Sequence, residues 1–495
     1  MEKNKISILK DKAFYIPIII LIIYFIIRLI DQSKIMWMFP FDSTNDISSH
    51  MAKIFFLAKY GYHQLVPYWY NGYMLFKLYP PAWFYFSLPL YYLTQNVQIT
   101  TFTSMILMYL IGFIFFYYFG NLVKLSNIKK IVFFLFFFVN PISIGNFIRV
   151  GKLPEMFAWL MLIPFAFIIL SYKDRIINKK FFIIILFYSI MLVSHQTVFL
   201  ISNFLLLSLF LIKNNKKERI LILLPLVISA IITSAWWVPF IKNSLETNML
   251  NYVFSARLLI PSGQLLLENI ASFVIPLIFL GSFYFYWKSK NKSKKELLFF
   301  LPETILAILF LSRITSFIPI LNSLYPDTYN HFLFFISVFM ILKTKFIVKI
   351  RKYFSIILIA ITLLGIFLSI NYTPWFIENN NYDKETISLF PYITENFIIL
   401  ENKVSYAKAF YSYAPIYYNL STSSGWSHQE VESSYLTSLH EISAFFKEGN
   451  CKNFLESLEK TNTKFVITYN SDCEKLEECN LKEIDKKEHA CLFSN

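Results

Sequence analysis

Apolar runs long enough to cross a hydrocarbon core recur along this chain, and they leave few architectures open. "AFYIPIIILIIYFIIRLI" (13–30) is the first, and it reaches the ~17–25 residues that a spanning helix needs. Backbone polar groups find no water inside a bilayer, so such runs fold as helices packed into a bundle. Further runs lie at 100–120, 131–147, 155–172, 181–194, 197–212, 220–240, 266–287, 297–312, 331–345 and 353–371. They predict about eleven transmembrane helices. The 181–194 and 197–212 runs are short, which predicts tilted or broken helices around a polar kink. The first run lacks a small-residue cleavage site and is read as a retained anchor.

The lysines set the orientation. The N-terminus and the segments "KLSNIKK", "KDRIINKK", "KNNKKER", "KSKNKSKK" and "KTKFIVKIRK" hold 25 of the 46 basic residues. They alternate with loops poor in Lys and Arg, so the positive-inside rule predicts a cytoplasmic N-terminus and a C-terminus outside. The expected location is the cytoplasmic membrane, crossed many times. The net charge of +15 divides unevenly, with −7 after residue 371 and +22 before it. The basic excess is therefore a cytoplasmic rim facing anionic lipid, and it argues against nucleic-acid binding.

Residues 1–371 form the predicted transmembrane domain, with a first external loop over 31–99. Residues 372–495 are predicted to be an extracytoplasmic soluble α/β domain. All four cysteines (Cys451, Cys473, Cys479, Cys491) lie in this last part, and a clustered even set fits two disulfides in an oxidising exterior. Sequence leaves their pairing open. "KVSYAKAFYSY" and "TKFVITYN" read as strands. "EVESSYLTSLHEISAFFKEGN" reads as a helix closed by Gly449, and "CKNFLESLEK" as a second helix. "STSSGWSHQE" (421–430) reads as an exposed loop.

The polar residues of chemical interest face outward. "FDSTNDISSHMAK" (41–53) begins the first external loop. Asp46, His50 and Lys53 share one face of a predicted helix, while Ile47, Met51, Ile54, Phe55 and Ala58 form its apolar stripe. Thr44 or Asn45 is the expected start and Gly61 the end, and the helix is expected to lie along the outer leaflet. "YWYNGYMLFKLYPPAWFYF" (68–86) follows; its aromatics, Tyr70 and Tyr79 among them, suit the apolar faces of sugar rings. "NFIRVGKLPEMFAW" (146–159) places Arg149 and Lys152 near Glu155, a setting for a lipid-linked phosphate. His195 sits between two short helices on the same side, where a histidine at membrane depth is a functional candidate. Trp236, Trp237, Asp327 and His331 are placed there too. Arg28, near the outer end of the first span, reads as a snorkelling residue.

"NDISSHMAKIFFLAKYG", "YWYNGYMLFKLYPP", "GKLPEMFA", "VSHQ", "AWWVPF" and the C-terminal α/β part, in that order, resemble a known family. It is the 6-pyruvoyl-tetrahydropterin synthase-related polytopic membrane proteins, within the wider GT-C glycosyltransferase-like superfamily. No His-rich zinc site is present for pterin chemistry, which is rejected. The resemblance implies transfer of a sugar from a polyprenyl-phosphate donor to a glycan, lipid or protein acceptor on the outer face. It makes Asp46 the general base of an inverting reaction, with His50 the histidine that follows it and Glu155 a second acid. Asp42 competes with Asp46, but the Asp-x-x-x-His match favours Asp46. Arg149, Lys152 and His195 would bind the leaving phosphate. Tyr70, Tyr79, Trp236 and His50 complete the expected substrate site. A divalent cation (Mg or Mn) held by Asp46 and His50 stays open, since the acids are scattered. A transporter or flippase of lipid-linked glycans is one alternative. It calls for ionisable groups spread through the bilayer and paired broken helices in related halves, whereas the sequence has few ionisable residues deep in its spans and no clear internal repeat. A non-catalytic assembly factor is the other.

Overall fold

In a computed structural model, residues 15–41, 46–246, 254–259, 266–344, 351–372, 375–376, 378–400 and 407–495 are described. Asp42, Thr44 and Asn45 lie outside the described residues.

The chain begins with α1 (Tyr15–Ser33), α2 (Ile47–Tyr60), a two-strand hairpin β1 (Leu65–Val66) and β2 (Tyr73–Met74), α3 (Ala82–Thr94) and α4 (Val97–Phe119). α5 (Asn127–Phe138) and α6 (Pro141–Ile144) follow, and a π-helical turn over Gly145–Val150 leads to α7 (Leu153–Tyr172). α8 (Ile184–Leu192), α9 (Gln196–Ile212), α10 (Lys216–Ile232), α11 (Ser234–Glu246) and α12 (Leu266–Ser289) continue the bundle. α13 (Lys294–Phe299), α14 (Leu301–Leu311), α15 (Pro326–Lys343) and α16 (Arg351–Tyr372) complete it.

Each predicted run thus holds a helix. Among the described residues α1, α4, α7 and α12 are long and apolar enough to span alone, and two bent pairs raise the number to as many as six. The bends are 50° between α5 and the segment Pro141–Val150, and 78° between α10 and α11. Pro141 explains the first: it cannot donate to the preceding turn, and Asn140 caps the restart by accepting from Ile142 and Ser143 N–H.

α7 is the central post. It is apolar all round and every one of its residues is buried, the pattern of a helix enclosed by others. α3, α4, α8 and α9 pack against it, while α12, α14, α5 and α15 build the other flank. The basic loops meet at one end of this bundle. Lys173 pairs with Glu296 at 2.6 Å, Lys295 with Asp174 at 2.7 Å, and Lys343 donates to the Val123 carbonyl at 2.7 Å.

The C-terminal region has a four-stranded sheet in the order β3 (Phe397–Ile399), β4 (Phe465–Tyr469), β6 (Ala490–Ser494), β5 (Lys482–Lys486). β3 runs parallel to β4, with Ile398 opposite Val466; β6 is antiparallel to β4 and to β5. β4 is wholly buried, whereas β5 is a charged, exposed edge, which discourages pairing with another chain. Helices α17 (Asn381–Leu389), α18 (Ala407–Tyr418), α19 (Ser433–Glu448), α20 (Cys451–Lys460) and α21 (Asp472–Glu478) surround it. Two disulfides, Cys451–Cys479 and Cys473–Cys491, staple α20, α21 and β6.

Three expectations are corrected. "KVSYAKAFYSY" is not a strand: from Ala407 it is α18, whose Ala409, Phe410 and Ala414 are buried. α2 does not lie along a leaflet, because Ile47 to Ile54, Phe56 and Leu57 are all buried between α3, α4 and α18. The 421–430 segment is not a free loop. Thr422 and Ser423 are buried, Thr422 N–H donates to Tyr68 O at 2.6 Å, and Ser423 N–H to Phe397 O at 3.0 Å.

Gly425 fixes that docking. A Cβ there would stand 2.7 Å from Trp69 Cγ, and Trp69 is itself held by its indole N–H donating to Tyr411 O at 2.7 Å. Gly425→Ala is therefore expected to cost about 1–3 kcal/mol as an overpacked site, read from thermal unfolding of the full chain.

Candidate functional site

The site is organised by the start of α2. Asp46 occupies the N-cap, and its N–H donates to Val150 O at 2.8 Å. This bond ties α2 to the turn that leads into α7 and carries Lys152 and Glu155. Gly61 closes α2 at φ +90°, where a residue without Cβ is favoured.

Asp46 is partly exposed, while Ile47 to Ile54, which follow it in α2, are buried. Burial pushes its carboxyl up to about 6, against the pull of Lys152, Lys53 and Lys408, and Glu155 adds to the rise. Loss of hydration disfavours the charged form, and here it outweighs three cations.

His50 follows one turn later. Its ring lies 5.5 Å from Trp83, 5.8 Å from Phe84 and 6.1 Å from Tyr79, centroid to centroid. Burial pushes its pKa down to about 3, helped by Lys53 and opposed by the Gly151 backbone. It is a neutral imidazole at physiological pH.

Lys53 completes the face. Its ammonium stands 3.9 Å over the Tyr79 ring and donates to Ser427 Oγ at 2.8 Å. Burial lowers its pKa to about 8, against Glu430 and Asp46, which raise it. Glu430 is itself buried, and desolvation raises its pKa despite Lys53.

Lys152 is differently placed. It forms an ion pair with Asp327 at 2.8 Å, and Asn146 Nδ2 donates to the same oxygen at 3.3 Å. Burial opposes the Lys152 charge, but Asp327, Glu155 and Asp46 together hold it protonated. Glu155 Oε1 accepts from the Trp159 indole at 3.1 Å. His195 caps α9, with Nδ1 2.8 Å from Thr197 Oγ1. Burial lowers its pKa, while Glu155 opposes and Lys152 reinforces that shift. Trp236 donates its indole N–H to Tyr79 O at 3.2 Å.

Asp46, His50, Tyr79, Lys152, Glu155, His195 and Trp236 are thus gathered around one polar centre. Two expected members stand apart. Arg149 is buried near Arg28 and Asp31. Tyr70 turns towards the C-terminal region, its hydroxyl 2.9 Å from His428 Nδ1. Sequence reasoning placed Lys53 on the right face but gave it no role. It passed over Lys408 and read Ser427 and Glu430 only as part of a loop able to touch substrate; all three arrive from more than 350 residues away.

No protein-family model matches this sequence, and no curated protein does. Solved structures do. The archaeal oligosaccharyltransferase AglB from Archaeoglobus fulgidus, in complex with an inhibitory peptide and a dolichol-phosphate, superposes with a TM-score of 0.54 at 12% identity. The match covers 91% of this chain and 69% of that one. The same enzyme in complex with Zn and sulfate gives 0.52 at 12% identity, over 90% and 68%. The mycobacterial arabinofuranosyltransferase AftD gives 0.50 at 11% identity, over 96% of this chain and 39% of that one. The likeness is one of fold, shared with these glycosyltransferases. At these identities the likeness concerns architecture, and the narrower pterin-synthase-related family is not shown by it.

One of these structures was solved with Zn, which raises the matter of a metal. Among the described residues, three ligand-bearing groups converge within 4.8 Å at Glu385, Glu488 and His489, in the C-terminal region. Among the described residues no such trio forms around Asp46, where Lys53 and Lys152 supply positive charge.

Proposed function

We propose that this protein is an inverting membrane glycosyltransferase that uses a polyprenyl-phosphate-linked sugar, with Asp46 as general base. The observation that carries the reading is Asp46 itself. It is a desolvated carboxylate among lysines, aromatic rings and a neutral histidine, in a fold shared with membrane glycosyltransferases.

The acceptor hydroxyl gives its proton to the Asp46 carboxylate as its oxygen attacks the anomeric carbon. The bond from that carbon to the phosphate oxygen breaks, and the electron pair leaves with the polyprenyl phosphate. A carboxylate titrating near 6 is a stronger base than an ordinary aspartate and is still largely ionised at neutral pH. Tyr79, partly exposed, contacts the sugar while the buried Trp236 braces Tyr79 through its carbonyl, and Glu155 and His50 orient the acceptor. The lipid chain lies among the helices. The site faces outward in this proposal: the basic loops gather at one end of the bundle, and the disulfides lie in the C-terminal region.

The bent helix pairs and the buried Glu303 are features a transporter would also use. The polar residues nonetheless concentrate around Asp46, which favours chemistry at one place.

The pH dependence tests the assignment. Asp46 must be ionised, so kcat/KM is expected to rise with pH through about 6. Lys53 must be charged, so it is expected to fall above about 8. The two groups interact, and the limbs belong to the pair. A flat profile between pH 5 and 7, measured in proteoliposomes with a polyprenyl-phosphate sugar, would count against Asp46 as base.

A further inference from the structure

The cations expected to receive the donor phosphate are not the ones the structure leaves available. Arg149 lies away from the cluster, beside Arg28 and Asp31. Lys152 is neutralised by Asp327 at 2.8 Å. Lys53 differs from both. It is 1% exposed, makes no ion pair within 4 Å among the described residues, and spends one N–H on Ser427 Oγ and its charge on the Tyr79 ring.

A buried ammonium with one hydrogen bond has two N–H donors left, and leaving them dry is costly. The carboxylates nearest in charge, Asp46 and Glu430, both act on Lys53 without touching it. Glu430 lies on the far side in sequence, on the C-terminal segment that docks over the hairpin. Tyr79 and Ser427 are partly exposed and both touch the ammonium, so an incoming anion approaches along them rather than past the Asp46 carboxylate. Ser427, held at φ +61°, presents the hydroxyl that aims the ammonium.

We infer that Lys53, positioned by Ser427 and Tyr79, binds the phosphate of a prenyl-phosphate-linked substrate two helical turns from Asp46. The inference rests on the proposed transferase reading for its location. It deepens that reading, since it assigns the leaving-group contact to α2 and the C-terminal loop. The same helix then presents a base at its start and a cation that attracts the departing charge.

The test is direct binding of farnesyl phosphate to the full-length protein in nanodiscs. Lys53→Met is expected to weaken binding by about tenfold or more, the worth of a charge-assisted hydrogen bond, and Lys53→Arg to recover part of it. Asp46→Asn is expected to bind at least as tightly as wild type, because it removes a carboxylate that repels the phosphate. Thermal unfolding of each variant confirms that it is folded, and Lys53→Arg keeps the positive charge that faces Glu430 and Asp46. Unchanged affinity in a folded Lys53→Met protein would overturn the inference, as would wild type that binds no farnesyl phosphate. Equal affinity for inorganic phosphate would also overturn it, by assigning the cation to the free ion. Lys53-dependent binding without any sugar transfer would sink the transferase proposal and leave this inference standing.

Discussion

Asp46→Asn is expected to lower sugar transfer by about 10²–10⁴-fold, the usual worth of a positioned general base, while the protein becomes no less stable. The second half of that expectation follows from linkage. Burial raises the Asp46 pKa from 3.8 to about 6 in the folded state. The unfolded chain therefore ionises more readily, so stability falls as pH rises from about 4 to 6 and stays lower above. At neutral pH the charged carboxylate costs the fold about 1–3 kcal/mol. Asparagine keeps the shape and drops the charge, so the unfolding temperature of the variant should equal or exceed that of wild type. Loss of transfer with loss of stability would instead mark Asp46 as a structural cap. A carboxylate kept where it weakens the fold is a sign of chemistry.

Lys152→Met is expected to do the opposite to stability. It leaves Asp327 and Glu155 without their shared cation, and breaking such a pair costs about 3–5 kcal/mol when fully buried. Lys152 and Asp327 retain 23% and 22% exposure, so a loss nearer 2–3 kcal/mol is expected after solvent screening. The double variant Lys152→Met with Asp327→Asn should recover most of it, since removing both partners leaves no orphaned charge. The activity readout is separate. Lys152 is the first among the cations that hold the Asp46 pKa down, so its removal should move the acid limb of the pH profile upward by about one unit. A limb that stays at its original pH would show that Lys152 does not sense Asp46.

Much of this arrangement could be read from the chain because it is local. The apolar runs hold the helices, and spacing alone puts Asp46, His50 and Lys53 on one face. Glu155 at the start of α7 and His195 between α8 and α9 were found in the same way. What could not be read depends on contacts across long separations. Lys152 and Asp327 are 175 residues apart, and their pairing decides that Lys152 is occupied. Ser427 and Lys53 are 374 apart. α18 was misread as a strand because Val, Tyr and Phe favour strands. In the structure Ala409, Phe410 and Ala414 form a helical stripe that packs against α2. The placement of α2 failed for the complementary reason: an amphipathic pattern reports an apolar environment, and a protein interior satisfies it as well as a lipid surface.

The most direct test of the central claim is a transfer assay on wild type and Asp46→Asn side by side, in proteoliposomes given a polyprenyl-phosphate sugar and a hydroxyl acceptor. Product is followed by mass and its anomeric configuration by NMR. The account predicts product of inverted configuration from wild type and essentially none from folded Asp46→Asn. Equal transfer by both proteins, or retention of configuration in the product, would contradict it.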